Sequence, residues 1–243
     1  MNAIETKDLT KKYGNRIVVD NLNLSIGKGE LFSLLGVNGA GKTTTIKMLS
    51  CLTKPTSGDA ILLGDSVKTN PYGIKEKMNV SPQETAIAPN LTVKENLVAI
   101  ARYYGYDRKE ANVKADDMIE SFGLHDIKKD KAKTLSGGWK RRLSIAMALI
   151  TNPQILFLDE PTLGLDVIAR RELWAIIRKL QGRVTIILTT HYLEEAEALS
   201  DRIGIMVKGK LKAVGTKDEL LKISGMERFE DAFIAIASES EVI

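Results

Sequence analysis

Apolar and polar residues change rhythm along this chain, and each change marks an element. Residues 4 to 35 are strand-rich: "IVVDNLNLSI" alternates apolar and polar, and "GKGE" reads as a turn into the apolar run "LFSLL". "TTIKMLSCL" then has helical spacing and stops before "TKPTSG", a loop rich in breakers. "AILLGDSV" predicts a strand and "MNVSPQ" a short one. After Gln83 the period becomes helical, through "PNLTVKENLVAIARYYG", "DRKEANVKADDMIESFGL" and "SGGWKRRLSIAMALI", with Thr92 and Ser136 placed as caps.

Strand and helix alternate again from residue 151. The strands are "ILFLDE", "TIILTT" and "RIGIMV", and between them lie the helices "VIARRELWAIIRKL" and "YLEEAEALS". "KGKLKAVG" reads as a hairpin and "TKDELLKIS" as a last helix. Such alternation predicts an α/β fold, a mostly parallel sheet with helices on both faces and ligands at the carboxyl ends of its strands. Residues 84–150 read as a helical insertion into that core, and residues 225–243 as an amphipathic tail with no assigned role.

Composition narrows the class. The chain has 243 residues, enough to bury roughly 70 to 75 % of its unfolded surface. Hydrophobic content of 44 % and charged content of 27 % are those of an ordinary globular protein. The net charge of +4 is spread along the chain, so "KKDKAK" and "KRR" read as solvated faces and no nucleic acid is expected. One cysteine, Cys51, allows no intrachain disulfide and fits a reducing compartment and a core position. No secretory signal is expected, and no apolar run approaches the ~20 residues of a membrane helix.

The chemistry begins at "GVNGAGKTTT", directly after the strand "LFSLL". Gly36, Val37, Asn38, Gly39, Ala40, Gly41, Lys42 and Thr43 satisfy G-x-x-x-x-G-K-[ST], with Thr44 following. Glycines let successive N–H groups point inward around phosphates, and the helix starting near Lys42 adds its positive end. Lys42 would reach the β- and γ-phosphates, and the Thr43 hydroxyl would take a place on Mg²⁺. "ILFLDE" ends a buried strand in two acids, which is costly unless they meet a cation or donors. Asp159 there would hold Mg²⁺, and Glu160 would orient or deprotonate a water attacking the γ-phosphate.

"LSGGW", a serine and two glycines opening a helix, is a second potential phosphate cradle. Together and in order, "GVNGAGKTT", "LSGGW", "ILFLDEP" and "GLD" resemble the ATP-binding cassette (ABC) ATPases, over nearly the whole chain up to about residue 220. The resemblance implies a P-loop NTPase with a RecA-like core and an N-terminal antiparallel β portion. It divides residues 1–224 into a catalytic core, 1–83 and 151–224, and a helical subdomain, 84–150. It implies that Ser136, Gly137 and Gly138 contact the γ-phosphate held by a second copy, in a head-to-tail homodimer that closes on two ATP molecules with Mg²⁺. Tyr13 would stack on adenine, Gln83 would sense Mg²⁺ and water, and Asp166 would lie at the dimer seam. His191, at the end of "TIILTT", would hydrogen-bond the γ-phosphate and position the water. His125 has no such context and is expected at the surface.

The resemblance further implies a permease on a separate chain, docked near residues 84–104, and a peripheral place on the cytoplasmic face of a membrane. Two departures, Trp139 where glutamine is usual and "PTLGLD" in the seam loop, resemble the export-type branch. The expected activity is therefore ATP hydrolysis driving a permease, for export. The competing classes are a non-transport cassette in translation or DNA repair, a module that dimerises on ATP with little hydrolysis, and a P-loop kinase. The first would carry two cassettes or a coiled-coil insertion, the second would not need Glu160, and the third gives "LSGGW" no task.

Overall fold

The computed structural model describes residues 1–238. Two sheets lie back to back. The first is antiparallel, in the order β2 (Arg16–Gly27), β1 (Asn2–Tyr13), β4 (Ser57–Leu62), β5 (Asp65–Ser66). The second has six strands, in the order β10 (Lys210–Gly215), β9 (Arg202–Val207), β3 (Leu31–Leu35), β8 (Thr185–Thr190), β7 (Ile155–Asp159), β6 (Met78–Ser81). All its pairings are parallel except that of β10 with β9.

The all-apolar strands of the second sheet are explained by burial of both faces. Ile155 and Phe157 of β7 and Ile187 of β8 pack into a core shared with the antiparallel sheet and with α1 (Lys42–Leu49). Their neighbours Leu156, Leu158, Ile186 and Leu188 pack on the opposite side, against α5 (Gly137–Leu149) and α6 (Val167–Arg178). That second core runs on without a break into α3 (Val93–Tyr103) and α4 (Arg108–Ser121) through Leu97, Ala101, Ala115 and Ile119. Thr92 closes a full capping box with Glu95 at the start of α3, and Ser136 caps α5, as the sequence predicts.

Three details differ from the sequence expectation. "AILLGDSV" is not one strand: Leu63 and Gly64 both adopt positive φ, 51° and 90°, and turn β4 back into β5. The hairpin expected within "KGKLKAVG" is made by β9 and β10 around Lys208 and Gly209. A short α2 (Pro71–Lys75) was not anticipated, although Asn70 at its cap and Pro71 at its first position are the usual start signals. The boundary expected at residue 224 is not a packing boundary. Past α7 (Leu193–Leu199) and α8 (Lys217–Ser224), α9 (Phe229–Ser238) buries Phe229 and Ile236 in a core with Leu220, Ile203 and Ile205. Residues 239–243 of the expected tail lie outside the described residues. Among the described residues no helix is long and apolar enough to cross a membrane.

Candidate functional site

β3 and β7 both end on the same edge of the parallel sheet, separated only by β8. The loop from β3 into α1 therefore faces the carboxyl end of β7. Two glycines make that loop possible. A Cβ on Gly36 would stand 2.3 Å from the carbonyl of Met206, and Gly41, at φ 106°, would set one 2.6 Å from the carbonyl of Val18. Gly41 is also the N-cap of α1 and supplies no side-chain cap, so the first turn keeps its N–H groups for a ligand.

Lys42 folds back over the loop. Its Nζ donates to the carbonyls of Gly36 (2.7 Å) and Val37 (3.3 Å) and lies 3.2 Å from Glu160 Oε1. The other carboxylate oxygen of Glu160 is 2.8 Å from His191 Nδ1, which leaves Nε2 of that ring to meet a ligand. Glu160 adopts φ 48°, a conformation that strains a side chain of this size. Its N–H is held by both the carbonyl and the hydroxyl of Thr189, each at 3.1 Å. The Thr189 hydroxyl in turn donates to Asp159 Oδ1 (2.5 Å), which also accepts from Thr43 Oγ1 (3.1 Å). Thr189 thus orients both acids, a part that sequence reading missed. The two threonines closing "TIILTT" were the available signal.

A cavity of about 560 Å³ joins these groups. Tyr13, Asn38 to Thr44, Gln83, Glu160 and His191 line it, together with Arg16, Val18 and Leu163, which the sequence did not single out. Tyr13 is half exposed, with Lys11 Nζ 4.9 Å from its ring centroid. Ser136, Gly137 and Gly138 are not among the lining residues. Ser136 and Gly137 are exposed, at the start of α5. Gly138 sits where a Cβ would come 3.1 Å from Ala169 Cβ, so the "LSGGW" turn and α6 approach closely. Asp166 caps α6, accepting from the Ala169 N–H at 2.9 Å. Trp139 packs on the helical core and lies under the Arg142 guanidinium, 4.5 Å from its ring centroid, while Arg142 also pairs with Glu172. His125 is exposed, as expected.

The profile of the family described as "ABC transporter" matches residues 19–163. The chain belongs to that family. It is 42 % identical over 219 residues to the Daunorubicin/doxorubicin resistance ATP-binding protein DrrA of Streptomyces peucetius, covering 90 % of this chain and 66 % of that one. It is 41 % identical over 218 residues to the Linearmycin resistance ATP-binding protein LnrL of Bacillus subtilis, covering 89 % and 70 %. It is 41 % identical over 240 residues to the Probable multidrug ABC transporter ATP-binding protein YbhF of Escherichia coli, covering 96 % of this chain and 41 % of YbhF. The cassette thus spans under two thirds of DrrA and under half of YbhF. A solved ATP-binding subunit of an ABC transporter superposes with a TM-score of 0.85 at 28 % identity, covering 96 % of this chain and 99 % of that one. An ATP-binding cassette solved as a dimer in a post-hydrolysis state with ADP and Pi gives 0.79 at 27 %, covering 88 % and 98 %. The expected fold class, a P-loop ATPase core carrying a helical portion, agrees with these neighbours.

The donor set fits a magnesium nucleotide. An uncapped helix end, a buried lysine and a phosphate-sized loop meet one carboxylate and one hydroxyl. Mg²⁺ is usually held by such a sparse set, completed by substrate phosphates and water, and not by an all-protein cage. Among the described residues there is no cluster of three or more His, Cys, Asp or Glu side chains that would suit another metal.

Two buried ionisable groups stand behind the site. Glu195 on α7 is fully buried, and burial pushes its carboxyl well up from the usual range. Nearby polar groups of Thr190, Trp174 and Thr162 oppose that rise, and the Glu160 charge adds to it. Trp174 Nε1 donates to Glu195 Oε1 at 3.0 Å, whereas Oε2 and the Thr162 hydroxyl lack a partner of good geometry. Arg141 on α5 is held below the usual arginine range by burial, with Asp159 and Glu195 favouring its charge.

Proposed function

We propose that this chain binds ATP with Mg²⁺ and hydrolyses it to drive a membrane permease carried on a separate chain, for export. The observation that carries the reading is the convergence of Lys42, Glu160 and His191 on the cavity wrapped by residues 36–44. In this reading the amides of residues 39–44 and Lys42 bind the phosphates. Thr43, Asp159 and Gln83 would hold the metal, which would offset the phosphate charge. Tyr13, at the far end of the cavity wall, stacks on the adenine. Glu160 takes the proton of the attacking water, and His191 keeps the Glu160 carboxylate turned toward the phosphate loop while offering its other nitrogen to the reacting group.

Ser136, Gly137 and Gly138 face solvent or lie at the helix end, away from this cavity. In our reading they complete the site of a second copy in a head-to-tail homodimer, with Asp166 at the seam. Residues 84–150 form the part that moves with the permease, hinged at Gln83, on a catalytic core of 1–83 and 151–224. The exposed rings of Tyr72, Tyr103 and Tyr104 near that hinge suit a protein partner at the membrane. The chain then works at the cytoplasmic face of the membrane. The names of DrrA and LnrL, both resistance proteins, support export. Purification from membranes tests this: an integral-membrane partner and ATP turnover should co-purify, and a protein with neither would overturn the reading.

A further inference from the structure

Four hydrogen bonds bind α5, the helix that opens with Ser136, to the strand that leads into Gln83 and to its extension. Asn79 Nδ2 donates to the carbonyl of Ala148 at 2.7 Å. The hydroxyls of Ser81 and Ser144 meet at 2.9 Å. Arg141 then donates from its two terminal nitrogens to the carbonyls of Pro82 (2.7 Å) and Gln83 (2.6 Å). The partners recur at about every second residue on β6 and its extension, and at 148, 144 and 141 on one face of α5. Strand and helix rise at about 3.3 and 1.5 Å per residue, so the two rows drift apart by a few ångström over this length. The long arginine side chain spans the drift.

Arg141 is 5 % exposed, and among the described residues its guanidinium makes no ion pair within 4 Å. Burying a cation against neutral carbonyls carries a desolvation cost that a methionine of similar length would avoid. What the arginine adds is a planar fork that holds two successive carbonyls in one orientation. Gln83, which carries the second of these carbonyls, lines the cavity.

We propose that Arg141 is the positioning residue for Gln83: from the helix that opens with Ser136, it fixes the backbone at 82–83 and so sets where the Gln83 amide meets nucleotide and metal. A pull on the Ser136 turn by a companion copy is passed through the same fork to Gln83 of this chain's own site. The inference rests on the reading of Gln83 given above.

A double-mutant cycle on the full chain separates the two. Gln83→Ala, Arg141→Met and the double variant are compared for turnover and for Mg²⁺-dependent ATP affinity. The amide chemical shifts of residues 83–86 in the nucleotide-free protein are the readout free of activity. Arg141→Met should move or broaden the amide resonances of residues 83–86 while leaving those of residues 36–44 as in the wild type, since two strong hydrogen bonds to the backbone at 82–83 are lost. It should lower turnover with Gln83 present and add nothing once Gln83 is alanine. Arg141→Lys, which keeps the charge but not the fork, should fall between and decides the matter if Arg141→Met does not fold. Unchanged amide resonances at 83–86, or losses that add in the double variant, would overturn the role of Arg141 while sparing that of Gln83. A Gln83→Ala protein with wild-type turnover and Mg²⁺ dependence would remove the basis of both.

Discussion

Lys42 Nζ stands 3.2 Å from Glu160 Oε1, and the two side chains are only 5 % and 7 % exposed. Lys42 therefore serves as counter-charge to the acid that follows β7. In the function proposed above, a triphosphate entering the loop would compete with Glu160 for that cation and free the carboxylate to act on water, so the pair would be a resting arrangement.

Removing one partner exposes its energetic weight. Lys42→Ala should destabilise the nucleotide-free protein by up to about 3 kcal/mol, because a buried carboxylate then loses its cation and keeps only the His191 contact. Glu160→Gln added to it should recover much of that loss. Urea unfolding of wild type and the two variants measures both terms, and a Lys42→Ala midpoint equal to wild type would show the pair contributes nothing. The same Lys42→Ala protein should bind ATP more weakly.

Glu160→Gln alone should keep ATP binding yet lower turnover by roughly 10²- to 10⁴-fold, the usual span of a lost general base. Bound ATP should then hold two copies together. Gel filtration with and without ATP reads the dimer, and near wild-type turnover would show that another group takes the proton.

The phosphate loop tolerates side chains unevenly. Gly41→Ala combines positive φ with a Cβ 2.6 Å from the Val18 carbonyl, whereas Gly39→Ala has positive φ but no atom within 4 Å. Gly39→Ala should cost about 1 kcal/mol from backbone strain, and Gly41→Ala clearly more, since the loop must also shift off β2. Thermal melting of the two variants side by side gives the comparison.

Glu195 predicts a pH dependence. Its folded carboxyl titrates above the ordinary glutamate value, so the folded state retains a proton that the unfolded chain releases. Its favourable contribution is present below about pH 4.5 and is lost as pH rises toward the folded pKa. Glu195→Gln, which can still accept from Trp174 Nε1, should match wild type in acid and become relatively more stable as pH rises to 8. Equal melting differences across that range would show that the carboxyl is not displaced.

The elements around the site were legible because each depends on short-range pattern. The apolar runs of β3, β7 and β8, the glycine spacing of residues 36–43 and the caps Thr92 and Ser136 are all local signals, and all appear where expected. Leu63 misled the strand reading because leucine rarely adopts φ near +51°, and only pairing of β4 with β5 holds it there. The packing of α9 was illegible for a related reason. Its apolar face tells that it is covered, and only the fold tells by Ile203, Ile205 and Leu220.

By itself the sequence determined which groups could bind phosphate and metal, since residue type and spacing carry that chemistry. Tertiary structure decided which groups touch. Register places Asp159 of β7 beside Thr189 of β8, and β8 beside β3, which brings Lys42 to 3.2 Å and His191 to 2.8 Å from the two carboxylate oxygens of Glu160. It likewise turned Arg141, one cation in a basic run, into a fork on Gln83. Contacts between residues far apart in the chain depend on strand order and parallel register, and neither quantity is encoded in any single local stretch.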